Sequence, residues 1–239
     1  SPQLGGQALN LYKTVTGEEI QKKLSGLIKE VQKNKNIHVH LDTSLTKVEG
    51  FVGNFEATLS SNGSEEELEC GVAVLATGAA PLKPAEYHYG DDPRILSSLE
   101  LDRKFIDRDP SLKKINTAVF IQCVGSREPQ RPYCSRVCCT HSIDNALQLK
   151  KLNPAMSVII LYRDIRTYGE REYLYKEARA AGVIFMRFSP DTKPEVVLED
   201  SKLLVKTHDP ILGRPVQIET DLLSLATAII PNQDEQLAN

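Results

Sequence analysis

TAVFIQCVGSREPQRPYCSRVCCTHSIDNALQLKKLNPAMSVIILY, residues 117–162, is the stretch that decides the fold. It opens on an apolar run, Thr117 to Cys123, of the length and β-branched content expected of a strand buried on both faces. A second such run, Val158 to Tyr162, closes it. Between them Ile143, Ala146, Leu147 and Leu149 recur near helical spacing, which predicts a helix over about Val137 to Leu152. Strand, helix, strand in this order requires a parallel pair joined by a crossover.

The pattern continues downstream. Gly169 to Ala181 reads as a second helix and Val183 to Phe188 as a third strand. Glu195–Leu198, Leu203–Lys206 and Pro215–Glu219 read as short antiparallel strands, and Leu222–Ile230 as a last apolar strand. Upstream, Ile20, Leu24, Leu27, Ile28 and Val31 predict a helix over about 18–34, followed by a short strand at Asn36–His40. Leu45–Phe51 and Asn54–Leu59 predict a hairpin turning over Gly50–Gly53, and Ser61-Asn62-Gly63-Ser64 is a turn. Val72 to Gly78 reads as a buried parallel strand, and Pro81 to Asp109 as a proline-rich, charged connector. Strands alternating with helices give an α/β, Rossmann-like architecture. The expected domains are 1–107 and 108–239.

Composition narrows the function classes. The 239 residues are 41% hydrophobic and 26% charged, which is ordinary for a globular chain and excludes collagen, coiled coil and disorder as the main reading. Net charge is −3, with no basic stripe, so neither a nucleic acid nor an anionic membrane is an expected partner. No run of 18 apolar residues and no secretory leader is visible, and a cytoplasmic location is expected. The anomaly is cysteine: of five, four lie between Cys123 and Cys139.

Their spacing is Cys123-x10-Cys134-x3-Cys138-Cys139. Cys123 ends the first strand, Cys134 lies in the loop, and Cys138 and Cys139 open the helix. A dinucleotide-binding turn would carry glycines here, so that pyrophosphate could approach the helix N-terminus. That N-terminus is expected to lower thiol pKa values. Four thiolates at one turn can hold an iron–sulfur cube. Adjacent cysteines diverge, which suits two irons of a cluster better than one tetrahedral zinc, and the paired C-x2-C knuckles of structural zinc are missing. A zinc site, a redox disulfide or inert thiols are the competing readings. Cys70 stands alone and reads as structural.

At these residues the chain resembles the A subunit of heterodisulfide reductases. The resemblance rests on Cys123-Val124-Gly125-Ser126-Arg127, on Tyr133-Cys134-Ser135-Arg136-Val137-Cys138-Cys139, and on Leu161 to Gly169 (LYRDIRTYG). Gly50 to Phe55, Ala76-Thr77-Gly78 and Leu225 to Pro231 extend it. It implies a flavoprotein with the thioredoxin-reductase-like arrangement of two dinucleotide-binding domains. Residues 1–107 would be part of the FAD domain, with Thr77 and Gly78 beneath the flavin. Residues 108–239 would be the NAD(P)-binding-like domain, carrying a [4Fe-4S] cluster on Cys123, Cys134, Cys138 and Cys139. The implied role is electron relay between cluster and FAD in a disulfide-reducing, ferredoxin-linked complex of anaerobes. The implied partners are the other reductase subunits, ferredoxin, and a hydrogenase or dehydrogenase donor.

Departures from the family accompany the matches. No G-x-G-x-x-G occurs, and the chain is expected to be a central piece of a longer protein that is inactive alone. Relatives commonly carry lysine five residues after the last cysteine, where this chain has Asp144, which weakens a reading of electron bifurcation. Arg127 and Arg136 read equally as neighbours of a thiolate cluster or as solvent-facing charges. Arg163-Asp164 stands where a dinucleotide fold reads the ribose, but without the glycine turn a structural role is favoured over NAD(P) binding. His38 and His40 read as surface residues, and His141 as a neighbour of the cluster. Tyr12-Lys13 reads equally as flavin lining or as packing.

Overall fold

The computed structural model describes residues 1–232. The chain forms two compact units, one of residues 10–18 and 81–229, the other of residues 1–9, 19–80 and 230–232. The chain passes between the units at 9/10, 18/19, 80/81 and 229/230. Residues 233–239 of the expected second domain lie outside the described residues.

The larger unit is built on five strands: β5 (Ile95–Ser97), β6 (Thr117–Val124), β7 (Ser157–Tyr162), β8 (Ile184–Arg187) and β12 (Leu222–Thr227). They pair in parallel in the order β5-β12-β6-β7-β8. Helices α2 (Ser98–Ile106), α3 (Cys138–Leu152) and α4 (Glu172–Ala180) pack on one face. A meander of β9 (Glu195–Glu199), β10 (Lys202–Asp209) and β11 (Arg214–Glu219) supplies the cover for the other. The period-2 alternation of β6 sorts its side chains between two cores. Ala118 and Phe120 join Leu101, Phe105, Ile143, Leu147 and Leu174 on the helical side. Val119 and Ile121 join Ile159, Leu203, Val205, Leu223 and Leu225 on the meander side. Both faces of β6 are thus dry, which is why the sequence shows an apolar run and no alternation.

The connector expected over Pro81–Asp109 is instead β5 and α2. Its signal is local: Ser97 Oγ accepts the Glu100 amide at 3.3 Å, and Glu100 Oε2 accepts the Ser97 amide at 2.6 Å. This capping box starts α2. The charges of Asp102 to Asp109 hide an apolar face made by Leu101 and Phe105, both buried. Ser97→Ala is expected to cost about 1 kcal/mol by losing one half of the box, measurable by urea denaturation. The expected last strand Leu222–Ile230 is interrupted at Ala228, giving β12 and β13 (Ile229–Pro231).

The smaller unit holds α1 (Ile20–Lys33) and a three-stranded antiparallel sheet, β1 (Ser44–Phe51), β2 (Asn54–Ser61) and β3 (Ser64–Cys70), ordered β1-β2-β3. The expected hairpin is present with Phe51 opposite Asn54, and β3 pairs with β2 in addition. The acidic run Glu65-Glu66-Glu67 concealed β3, because an exposed strand shows no apolar alternation. The short strand β4 (Ala79–Pro81) pairs with β13. Two expectations fail here. Asn36–His40 is irregular and exposed. Val72–Gly78 forms no strand, and Val72, Val74 and Leu75 are exposed at 69%, 84% and 66%. An apolar run becomes a buried strand only when neighbouring strands take its backbone groups, and the described residues supply none for it.

Candidate functional site

The turn between β6 and α3 is long and conformationally unusual. Cys123 has φ 63°, Gly125 69°, Arg127 58° and Arg136 64°, so four residues lie in the left-handed region. At Gly125 φ is positive, and an added Cβ would meet the Leu82 side chain at 2.1 Å and displace it, so glycine is favoured. Hydrogen bonds fix the path: Ser126 N–H to Cys123 O at 3.3 Å and Arg127 N–H to Tyr133 O at 3.0 Å. Tyr133 Oη donates to Ile229 O at 3.2 Å, and Ser135 Oγ accepts the Ile229 amide at 2.9 Å. The pairing of β12 with β6 shifts register between Leu225 and Thr227, at the same end of the sheet.

This geometry gathers the four expected cysteines. Cys138 Sγ lies 3.7 Å from Thr227 O and Cys139 Sγ 3.6 Å from Asp164 O, both thiols donating. The Arg136 amide donates to Cys134 Sγ at 3.4 Å. Each of Cys123, Cys134 and Cys139 is close enough to Cys138 to raise its pKa. All five cysteines are free thiols, and Cys70 is on β3, in the other compact unit. Among the described residues no group of three or more Cys, His, Asp or Glu side chains is placed to hold a metal ion.

The expected lowering of thiol pKa is reversed. Burial pushes Cys138 up to about 12, reinforced by the neighbouring thiols. Burial also raises Cys139, against the Arg166 backbone. Cys123 rises for the same reason, opposed by Arg127 and Arg163. Desolvation is the largest cause at all three, and the neighbouring thiols add to it. An unfolded thiol ionises near 9.0 whereas folded Cys138 keeps its proton to about 12. The native metal-free chain binds more protons across that window, so its stability falls as pH rises from about 9 to about 12. Denaturation of the reduced, metal-free protein at the two ends of this window measures the loss.

The charged residues sort differently from their sequence reading. Arg127 is largely buried and pairs with Asp164 at 2.7 Å. Arg136 is exposed. Arg163 Nη1 donates to Arg127 O at 2.9 Å. Arg166 and Arg187 also approach Asp164, at 3.6 and 3.7 Å, and sequence reasoning missed both as partners of this carboxylate. His141 pairs with buried Asp102 at 2.8 Å, and Asp102 also accepts the Tyr12 amide at 3.0 Å. Tyr12 stacks on Phe105, a packing role. His38 and His40 are exposed. Thr77 and Gly78 belong to the other compact unit, where their carbonyls accept the side chain and backbone of Asn232 at 2.7 and 3.3 Å. Asp144 is buried and its pKa raised by that burial.

No family model matches the chain. Among curated proteins it is 35% identical over 190 residues to the iron–sulfur A subunit of CoB–CoM heterodisulfide reductase from Methanocaldococcus jannaschii, covering 71% of this chain and 28% of that one. It is 32% identical over 190 residues to the A subunit of the H2:CoB-CoM heterodisulfide, ferredoxin reductase of Methanothermobacter thermautotrophicus, covering 72% and 28%. The chain thus spans about 28% of the length of these relatives. Among solved structures, Lactococcus lactis thioredoxin reductase superposes with TM-score 0.55 at 17% identity, covering 96% of this chain and 68% of that one. The fold expected from the sequence, Rossmann-like and thioredoxin-reductase-like, is the fold observed.

Proposed function

We propose that this chain, a homologue of heterodisulfide reductase A subunits over about 70% of its length, is the cluster-bearing part of an electron-transfer oxidoreductase linked to disulfide reduction. The observation that carries the reading is the convergence of Cys123, Cys134, Cys138 and Cys139 within mutual electrostatic reach at one turn. The donor set fits a polynuclear iron–sulfur group. It is all sulfur, drawn from a strand end, a pinned loop and a helix start. We assign the four cysteines as ligands of a [4Fe-4S] cluster. Such a cluster supplies one-electron transfer when bound.

The chain's own residues have separable tasks. The four thiols bind as thiolates, and at Cys123, Cys138 and Cys139 burial otherwise holds the proton in place. Arg127 and Arg163 set positive charge beside Cys123, offsetting that of thiolates. The Arg136 amide donates to Cys134 sulfur, and hydrogen bonding to sulfur is one means of tuning cluster potential. Tyr133 and Ser135 anchor the loop to Ile229, holding Cys134 near the helix start.

FAD is a separate matter. Thr77 and Gly78 are this chain's candidates to touch a flavin, but both are exposed, and no glycine-rich phosphate cradle accompanies them. The described residues do not by themselves form a flavin site. In a protein of the relatives' length, further residues would supply FAD contacts and ladder partners for the exposed run Val72–Gly78. We further place the protein in the cytoplasm of an anaerobe, with other reductase subunits and with ferredoxin or a hydrogenase or dehydrogenase as donor. Among the described residues, no helix is long and apolar enough to cross a membrane.

Anaerobic reconstitution with iron and sulfide tests the assignment. A brown protein whose visible absorption bleaches reversibly with a reductant is expected. A colourless protein after thorough reconstitution overturns it.

A further inference from the structure

We propose that Lys193 clasps the arm of chain that carries Cys134, and so acts as a positioning residue for that ligand. The proposal rests on the four-cysteine reading of the β6–α3 turn and concerns residues 124–133, between Cys123 and Cys134. This arm is not a free loop. Arg127 N–H donates to Tyr133 O at 3.0 Å, Glu128 N–H to Arg131 O at 3.1 Å, and Arg131 N–H to Glu128 O at 2.9 Å. It therefore folds back on itself as a small hairpin, with Pro129 and Gln130 exposed at the tip. Arg131 Nε donates to Gly125 O at 2.5 Å across the base. Cys134 directly follows the returning limb, so the lie of the hairpin sets its position.

Two ties hold the arm from outside. One runs to Ile229, through Tyr133 and Ser135. The other is Lys193, whose ammonium pairs with Glu128 and lies 3.6 Å from Glu86. Lys193 reaches out from a fixed point. It follows the 3-10 turn Pro190–Thr192, which Ser189 and Thr192 close with their hydroxyls 3.0 Å apart. Glu128 is the sheltered member of the trio, its side chain 16% exposed against 38% for Lys193 and 39% for Glu86. A pair sheltered on one side is screened less than one in open solvent. Two carboxylates share this one ammonium. Without it Glu86 and Glu128 repel each other, and Glu128 is left under cover with no counter-charge. Swinging the arm out into water relieves both costs, and Cys134 moves with it.

Hydrogen exchange of the reduced, metal-free full chain and iron release from the reconstituted chain test the clasp together. In Lys193→Met the amides of Glu128 and Arg131 should exchange about fivefold faster, while those of Phe120 and Ile160 in the central sheet keep their rates. Anaerobic iron release to a chelator should quicken by a similar factor. Lys193→Arg should restore both rates, a rescue that a general loss of stability would not show. Adding Glu128→Gln to Lys193→Met should change little further, because the pair is already broken. Exchange reads the arm without any cluster. A chain that takes up no iron therefore sinks the cluster assignment, and the exchange rates then decide on the clasp by themselves. Unchanged exchange in Lys193→Met overturns the proposal, as does faster exchange with iron release unaltered.

Discussion

Replacing Cys138 by serine is expected to lower the iron of anaerobically reconstituted protein from about four atoms per chain to below about one. Cys138 sits where the turn becomes α3, and its sulfur is under the influence of all three other thiols. Serine preserves its size but replaces a soft sulfur with a hard oxygen, which holds iron–sulfur centres poorly. The helix start should survive, because α3 has no side-chain cap to lose. Cys70→Ser is the matched control and should keep the full iron complement, since Cys70 is on β3 and not part of the β6–α3 turn. Retention of iron and sulfide by the Cys138 variant would show that the ligand set is misassigned.

Phe120→Ala should destabilise the larger unit by about 3–5 kcal/mol. Phe120 is fully buried on the central strand β6 and packs into the core formed with Leu101, Ile143, Leu147 and Leu174. The ring lies where the sheet meets its helices, so its removal opens a cavity in a layer that cannot readily collapse. The thermal midpoint should fall by about 10 °C, from the usual relation for domains of this size. The same substitution at the exposed Phe51, on the hairpin rim, should shift the midpoint very little. Equal effects at the two positions would contradict the core described here.

How much of this was legible in the sequence depended on burial. The β6-α3-β7 unit was readable because both faces of its strands are dry, so its apolar runs are unbroken. The meander was readable from its turns. β3 was hidden because its exposed glutamates carry no pattern. α2 was hidden because charged residues flank its two buried anchors, although the Ser97–Glu100 box announced it. The run Val72–Gly78 misled in the opposite sense: apolar character was taken for burial where the described residues offer no partner strand. Spacing placed all four cysteines at one turn, but not their protonation, which depends on a desolvation that emerges only on folding. The Arg127–Asp164–Arg187 network joins three strand ends and has no signature along the chain.

Iron and acid-labile sulfide per chain, in protein prepared without exposure to oxygen, test the four-cysteine cluster most directly. About four of each, with no stoichiometric zinc, is the expected result. About one zinc with no sulfide, or no metal at all, would contradict it.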